Sequence, residues 1–245
     1  MAVVLVDLDD TLVPDEAARD EALQTALGHL VEPTAVWAAV RAAWRVSDLA
    51  TVPELAGVSS WEALWTDLDA VLTDRSARDA GRAFQSRVWQ ELVPDRRVSA
   101  AAADFRRVRE ELVQPYSWAP DLLAEWAGRY DLWCVTNGSS WLQRRKLELS
   151  GLRRYFDQVV ISGEVGAVKA DNRYCDEVAA RLDRGGLRAL AVVGDSETSD
   201  GVLARMLGVP HVLVVPGERP KIGEALSSGG RSARRSSLFE ALRGR

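Results

Sequence analysis

Apolar residues fall into two rhythms along this chain. Five short runs are continuous rather than alternating: AVVLV (2–6), DLWCVT (131–136), QVVIS (158–162), LRALAVVG (187–194) and HVLVV (211–215), with QVVIS the weakest. Continuous runs of this length predict strands covered on both faces, as in parallel sheets. Helical patterns separate them. After Thr136-Asn137-Gly138, Ser139 is placed to cap a helix carrying Trp141, Leu142 and Leu149 and stopping at Gly151. Further helices are expected over 172–182 and 199–207. Strand, loop and helix repeated in this way predict an α/β fold built on a doubly wound parallel sheet.

The stretch from about Pro14 to Gln114 keeps a different rhythm. It carries no convincing strand, and its apolar residues recur at helical spacing. Val36, Trp37, Val40 and Trp44 line one face. Ser59-Ser60-Trp61-Glu62 matches a capping box, and Leu64, Trp65, Leu68 and Leu72 follow it. Val98, Ala102, Phe105, Val108 and Leu112 line a last helix that Pro115 ends. The expected organisation is a Rossmann-like core over 1–14 and 115–245, interrupted by an all-helical insert over 15–114.

Composition narrows the partners. The chain has 245 residues, a 47% hydrophobic share and a net charge of −5, which suits a globular protein and disfavours nucleic acid as the main partner. MAVVLVD lacks the long apolar core of a signal peptide, and no apolar run is long enough for a bilayer, so no membrane association is expected. Cys134 and Cys175 have no metal-ligand spacing and are expected as buried thiols in a cytoplasmic protein, a monomer or homodimer. From Lys221 to Arg245 the Gly/Ser/Arg-rich SSGGRSARRSS segment predicts a solvated tail, with a short closing helix over 238–242.

Candidate chemistry begins at VDLDDTL, where a buried run ends in Asp7, Asp9 and Asp10. Carboxylates this close repel and raise one another's pKa values, which a metal ion or a reaction using two carboxyl groups would explain. In open α/β sheets, ligands bind beyond the carboxyl ends of the strands. Four of the five expected strands deliver polar groups there: Asp7 and Asp9; Thr136, Asn137 and Gly138; Lys169; then Asp195, with Asp200 five residues on. Their joint placement is the signal.

DLDDTL, TNG, Lys169 and GDSETSD, in this order, resemble the four motifs of the haloacid dehalogenase-like hydrolase superfamily, and the insert resembles the helical cap of its first cap class. TNGSSWLQRRKLELSGLRRYFDQVVISGEVGAVK is similar to phosphatases of that group. The resemblance implies a Mg²⁺-dependent phosphatase of a small phosphorylated metabolite. Asp7 would be the nucleophile that forms an aspartyl-phosphate, and Asp9 the residue that protonates the leaving oxygen and then deprotonates water. Mg²⁺ would be held by the Asp7 carboxylate, the Asp9 carbonyl and the Asp195 carboxylate, with Asp200 supporting from behind. Thr136, Asn137, Gly138 and Lys169 would hold the phosphoryl oxygens. Asp10 is expected to cap the turn that follows.

Dehalogenases of the superfamily lack the second Asp, so Asp9 favours phosphoryl transfer. Lys169-Ala170-Asp171-Asn172 departs from the common Lys-Pro-Asp-Pro, which frees the loop while keeping the ammonium. A phosphomutase using the same residues, or a non-catalytic binding or regulatory protein keeping the fold, are the alternatives. His29 and His211 lie outside every motif. Trp37, Trp44, Trp61, Trp65 and Trp89 all fall in the insert and are expected mostly in its core, with one or two lining the pocket.

Overall fold

A computed structural model describes residues 2–28 and 32–220. His29 and the tail from 221, including the helix expected over 238–242, lie outside the described residues. Strands β1 (Ala2–Val6), β2 (Asp131–Thr136), β3 (Gln158–Ile161), β4 (Arg188–Gly194) and β5 (His211–Leu213) coincide with the five apolar runs to within two residues at either end. All pair in parallel, in the order β3-β2-β1-β4-β5.

Alternate residues of each strand serve opposite faces, so continuous apolar runs supply two cores at once. Val4 and Val6 of β1, Cys134 of β2 and Val193 of β4 point into one layer with helices α6 (Ala119–Ala127) and α7 (Ser140–Leu149). Val3, Leu5, Val135 and Val192 point into the other, against α9 (Asn172–Arg184) and α10 (Asp200–Leu207), with the one-turn α8 (Ser162–Val165) following β3. Ser139 caps α7 as its position predicts, accepting from the Leu142 amide at 3.3 Å. From β1 the chain builds outward through β2 and β3 on one side, then crosses back to place β4 and β5 on the other. The carboxyl end of β1 is therefore the switch point where doubly wound sheets bind ligands.

The segment between β1 and α6 is helical: α1 (Glu16–Leu27), α2 (Pro33–Arg45), α3 (Leu68–Val71), α4 (Arg75–Leu92) and α5 (Val98–Glu111), with short 3-10 turns between α2 and α3. Trp37, Trp44, Trp65, Trp89 and Phe105 are buried there, and the Phe105 ring lies 5.5 Å from Trp89 and 6.2 Å from Trp37. Two features depart from the sequence reading. The capping box forms, with Glu62 N donating to Ser59 Oγ at 3.3 Å and Ser59 N to Glu62 Oε2 at 3.0 Å. Only a 3-10 turn and the four-residue α3 follow it, because Asp67 caps a new start through the Ala70 amide at 3.1 Å. The long helix is α4 instead, capped by Asp74 through the Ala77 amide at 2.9 Å.

Phe105→Ala should destabilise the protein by about 3–5 kcal/mol, the usual cost of emptying a fully packed aromatic site. Urea midpoints at constant m-value measure it; a loss below about 1 kcal/mol would show that the insert has no fixed core.

Candidate active site

The carboxyl edge of the sheet opens into a cleft of about 390 Å³ whose lining includes Asp7, Asp9, Thr136, Asn137, Lys169, Asp195 and Asp200. The insert contributes Asp15, Glu16, Gly57, Ser59, Trp61 and Glu62 to the same lining. All but one of the expected site residues thus meet where the topology directs them. Gly138 stands apart: its amide donates to Ser162 Oγ at 2.8 Å, so it is already engaged. Asn137 ties loops together with its side chain, its Oδ1 accepting from the Lys169 amide at 2.9 Å and its Nδ2 donating to Ser199 Oγ at 3.2 Å. That bond, with the Asp171 amide donating to the Val168 carbonyl at 2.9 Å, secures the Lys169 loop without either proline. Asp171 also caps α9 through the Arg173 amide at 2.7 Å.

Two charge clusters flank the loop that follows β1. In the first, the buried Lys169 Nζ donates to Asp7 Oδ1 at 2.6 Å and to Asp200 Oδ1 at 2.7 Å. The other oxygen of Asp200 accepts from the Ser196 amide at 3.2 Å. Gly194 makes room for it, since a Cβ there would stand 2.2 Å from that carboxyl. Thr11 Oγ1 accepts from the Asp195 amide at 3.1 Å and lies 3.3 Å from Asp7 Oδ2. Carboxyl oxygens of Asp7, Asp195 and Asp200 all lie within 4.8 Å of one another. Burial drives the Asp7 carboxyl upward, against Lys169 and with Asp200 adding to the rise. Burial alone would lower Lys169, but Asp7 and Asp200 outweigh it and keep the ammonium charged. Three carboxylates and one ammonium leave two negative charges unbalanced. A hard divalent cation with oxygen ligands fits that donor set in charge and in chemistry.

The second cluster centres on Lys146 of α7, buried beneath Asp9. Its Nζ lies 2.8 Å from Asp9 Oδ1, 2.9 Å from Glu62 Oε1 and 2.9 Å from Asp15 Oδ1. Gln143, one turn back, donates to Asp9 Oδ2 at 3.0 Å and to Glu62 Oε1 at 3.1 Å. Arg109 of α5 pairs with the Asp15 carboxylate and donates to its carbonyl at 2.9 Å. Burial pushes the Asp9 carboxyl up to about 7; Lys146 opposes the rise, and Asp15 and Glu62 add to it. The crowding that raises Asp9 therefore comes from the insert rather than from Asp7 and Asp10, as the sequence alone suggested. Asp10, at φ 53°, also lines the cleft, and its Oδ1 accepts from the Asp15 and Glu16 amides at 2.8 and 3.2 Å, capping the entry to α1.

Thr11, Asp15, Glu62, Arg109, Gln143 and Lys146 escaped the sequence reading. One signal was present: Lys146 falls between Leu142 and Leu149 on the apolar stripe of α7, where a lysine is out of pattern. Glu62 was legible as a cap only; its Oε2 makes the capping box and its Oε1 faces Lys146. Trp61 is the insert tryptophan that lines the cleft. His211 is placed against the Gly194 carbonyl at 3.2 Å, away from both clusters.

Comparison with known proteins shows the family. A sequence profile described as haloacid dehalogenase-like hydrolase matches residues 1–208. The chain belongs to that family. It is 35% identical over 236 residues to a phosphoserine phosphatase of Thermus thermophilus, covering 92% of this chain and 93% of that one. It is 29% identical to the pyrimidine 5'-nucleotidase PynA of Streptococcus pneumoniae, over 80% of this chain and 76% of that one. Among solved structures, the magnesium-bound HAD-hydrolase YfnB of Bacillus subtilis superposes with a TM-score of 0.58 at 23% identity, over 91% and 90% of the two chains. A HAD family enzyme of Bacteroides thetaiotaomicron, in complex with magnesium and inorganic phosphate, reaches 0.55 at 16% identity over 89% and 96%. These structures share the fold. No described helix is long and apolar enough to cross a membrane.

Asp15→Asn should weaken the fold by on the order of 3 kcal/mol at pH 7, because it leaves Arg109 and Lys146 short of a buried counter-charge. Burial raises the Asp15 carboxyl, but Arg109 and Lys146 outweigh it and hold it well below the usual range. A depressed folded pKa contributes stability above the unfolded value of about 4, and that stability is lost as pH falls. The wild-type advantage in urea midpoint should accordingly shrink between pH 5 and pH 3; an unchanged advantage would exclude a charge effect.

Proposed function

We propose that the protein is a Mg²⁺-dependent phosphomonoesterase of a small phosphorylated metabolite, working through an aspartyl-phosphate on Asp7. One observation carries this reading: two carboxyl groups two residues apart share a cleft but are held by separate sets of partners. Asp7 faces the Lys169 ammonium at 2.6 Å, while Asp9 is crowded by Asp15 and Glu62 and holds its proton up to about pH 7. Asp7 stands with Asp195, Asp200 and Lys169, a set that suits a cation and a phosphoryl group, and takes the nucleophile's part; Asp9, its carboxyl pushed up to about 7, takes the proton donor's.

Asp7 attacks phosphorus and the ester bond breaks, while Asp9 gives its proton to the leaving oxygen. Asp9, now ionised, takes a proton from the water that attacks the aspartyl-phosphate, releasing phosphate and restoring Asp7. The Thr136 hydroxyl and Lys169 hold the phosphoryl oxygens and offset the repulsion between two anions. Mg²⁺ would be held by the Asp7 carboxylate, the Asp9 carbonyl and the Asp195 carboxylate, supported by Asp200, and would supply charge to the transferring group. In this reading residues 15–114 form the cap domain over a core of 1–14 and 115–245. Its Trp61, Ser59 and Glu16 face the cleft where the leaving group lies, so substrate choice belongs to the cap. The Thermus relative puts O-phosphoserine first in a substrate panel, with pyrimidine 5'-nucleotides next.

Phosphate release with Mg²⁺ over such a panel tests the assignment. Exhaustive chelation should silence turnover and Mg²⁺ should restore it; activity that survives chelation would remove the metal from the reading. Asp7→Asn is nearly isosteric and should leave less than roughly a thousandth of the wild-type kcat. A larger residue of activity, with the fold intact by circular dichroism, would mean that Asp7 is not the nucleophile.

A further inference from the structure

Lys146 lies outside the four motifs, and the proposed phosphoryl transfer gives it no role. It is nevertheless among the most buried side chains of the protein, at 1% exposure. Its three carboxylate partners come from three places: Asp9 from the loop after β1, Asp15 from the head of α1, and Glu62 from the turn of the insert. Gln143 bridges Asp9 and Glu62 in parallel, so both carboxyl oxygens of Asp9 accept from α7. Packing alone would be served by an apolar residue at this point of the α7 stripe, since buried ion pairs seldom outperform a hydrophobic replacement of similar volume. What such a cluster supplies is a defined geometry.

We propose that Lys146 is a positioning residue for the reaction: with Gln143 it fixes the carboxyl of Asp9, and through Glu62 it makes that placement depend on the insert being seated against the core. This rests on the phosphatase reading and on Asp9 as the group that protonates the leaving oxygen. The chain of contacts is Glu62 Oε1 to Lys146 Nζ to Asp9 Oδ1, each link 2.9 Å or shorter. A displaced Asp9 harms only those esters whose leaving oxygen must receive a proton. An ester whose leaving group departs as a stable anion has no use for the proton. A lysine that merely neutralised buried carboxylates would act on all substrates alike.

The test compares kcat/KM for an alkyl phosphate and for 2,4-dinitrophenyl phosphate, using the full chain with Mg²⁺. This parameter reports transfer to Asp7 and is independent of the later hydrolysis. Asp9→Asn sets the reference, and its loss on the alkyl ester should lie in the range of about 10²- to 10⁴-fold expected for a general acid, with a much smaller loss on the dinitrophenyl ester. Lys146→Met should shift the ratio of the two esters in the same direction by at least roughly tenfold, and Glu62→Gln should shift it by less. Joined with Asp9→Asn, Lys146→Met should add almost nothing to the ratio, because both act on one group. If Lys146→Met does not fold by circular dichroism, the nearly isosteric Glu62→Gln decides alone. Equal loss on both esters in the folded variants would overturn the inference while leaving the phosphatase reading intact. A wild type that releases no phosphate from either ester, or an Asp9→Asn variant that lowers both alike, would overturn the phosphatase or proton-donor reading and the inference with it.

Discussion

The buried ammonium of Lys169 is the contact on which the catalytic edge depends. Its amide is held by Asn137 beyond β2, and its Nζ by Asp7 from β1 and Asp200 from α10 beyond β4. One residue, through its amide and its side chain, therefore ties together loops from three strands of the sheet. Taking such a charge out of water is costly unless good acceptors surround it, and here two carboxylates do so. Those carboxylates would in turn repel each other without it. The apolar strands make the edge rigid, and Lys169 makes its charges tolerable.

A second ammonium, Lys146, performs a comparable service one helix away but faces the insert. The two clusters meet only across the loop from Asp7 to Asp9, which sends one carboxyl to each. Strand alternation would put Asp7 and Asp9 on one face, but β1 ends at Val6; the chain turns there, Leu8 is buried in the core, and the flanking carboxylates reach separate partners. One loop thus gives neighbouring aspartates separate partners, Lys169 for Asp7 and Lys146 for Asp9. Gly57 shows how closely the insert is seated at this point, since a Cβ there would stand 2.9 Å from Asn137 Cβ.

Buried charge of this density explains why the helical insert carries so many aromatic residues. Trp65 stacks beneath the Arg109 guanidinium at 4.8 Å, and Trp61 donates to Asp15 Oδ2 at 3.1 Å. Their rings exclude water from the ion pairs while offering a polarisable face or an N–H donor. Trp37, Trp89 and Phe105 behind them give the insert a core of its own.

By itself the sequence determined the strands, their parallel arrangement, the helical character of the insert and the motif residues at the sheet edge. These follow from continuous apolar runs, helical spacing and short polar motifs, all of which are local in the chain. The position of the insert's long helix was not legible, because the Asp74 cap and the Arg-rich α4 carry a weak apolar stripe, while the box at Ser59 looked like the stronger start. Nor was the cluster of Asp9, Asp15, Glu62, Arg109, Gln143 and Lys146. Its members are separated by up to 137 residues, and each alone reads as a cap or a solvated charge. Only the tertiary structure decided that they meet, because pairing between distant charges depends on how the insert packs against α7, and no local pattern encodes that.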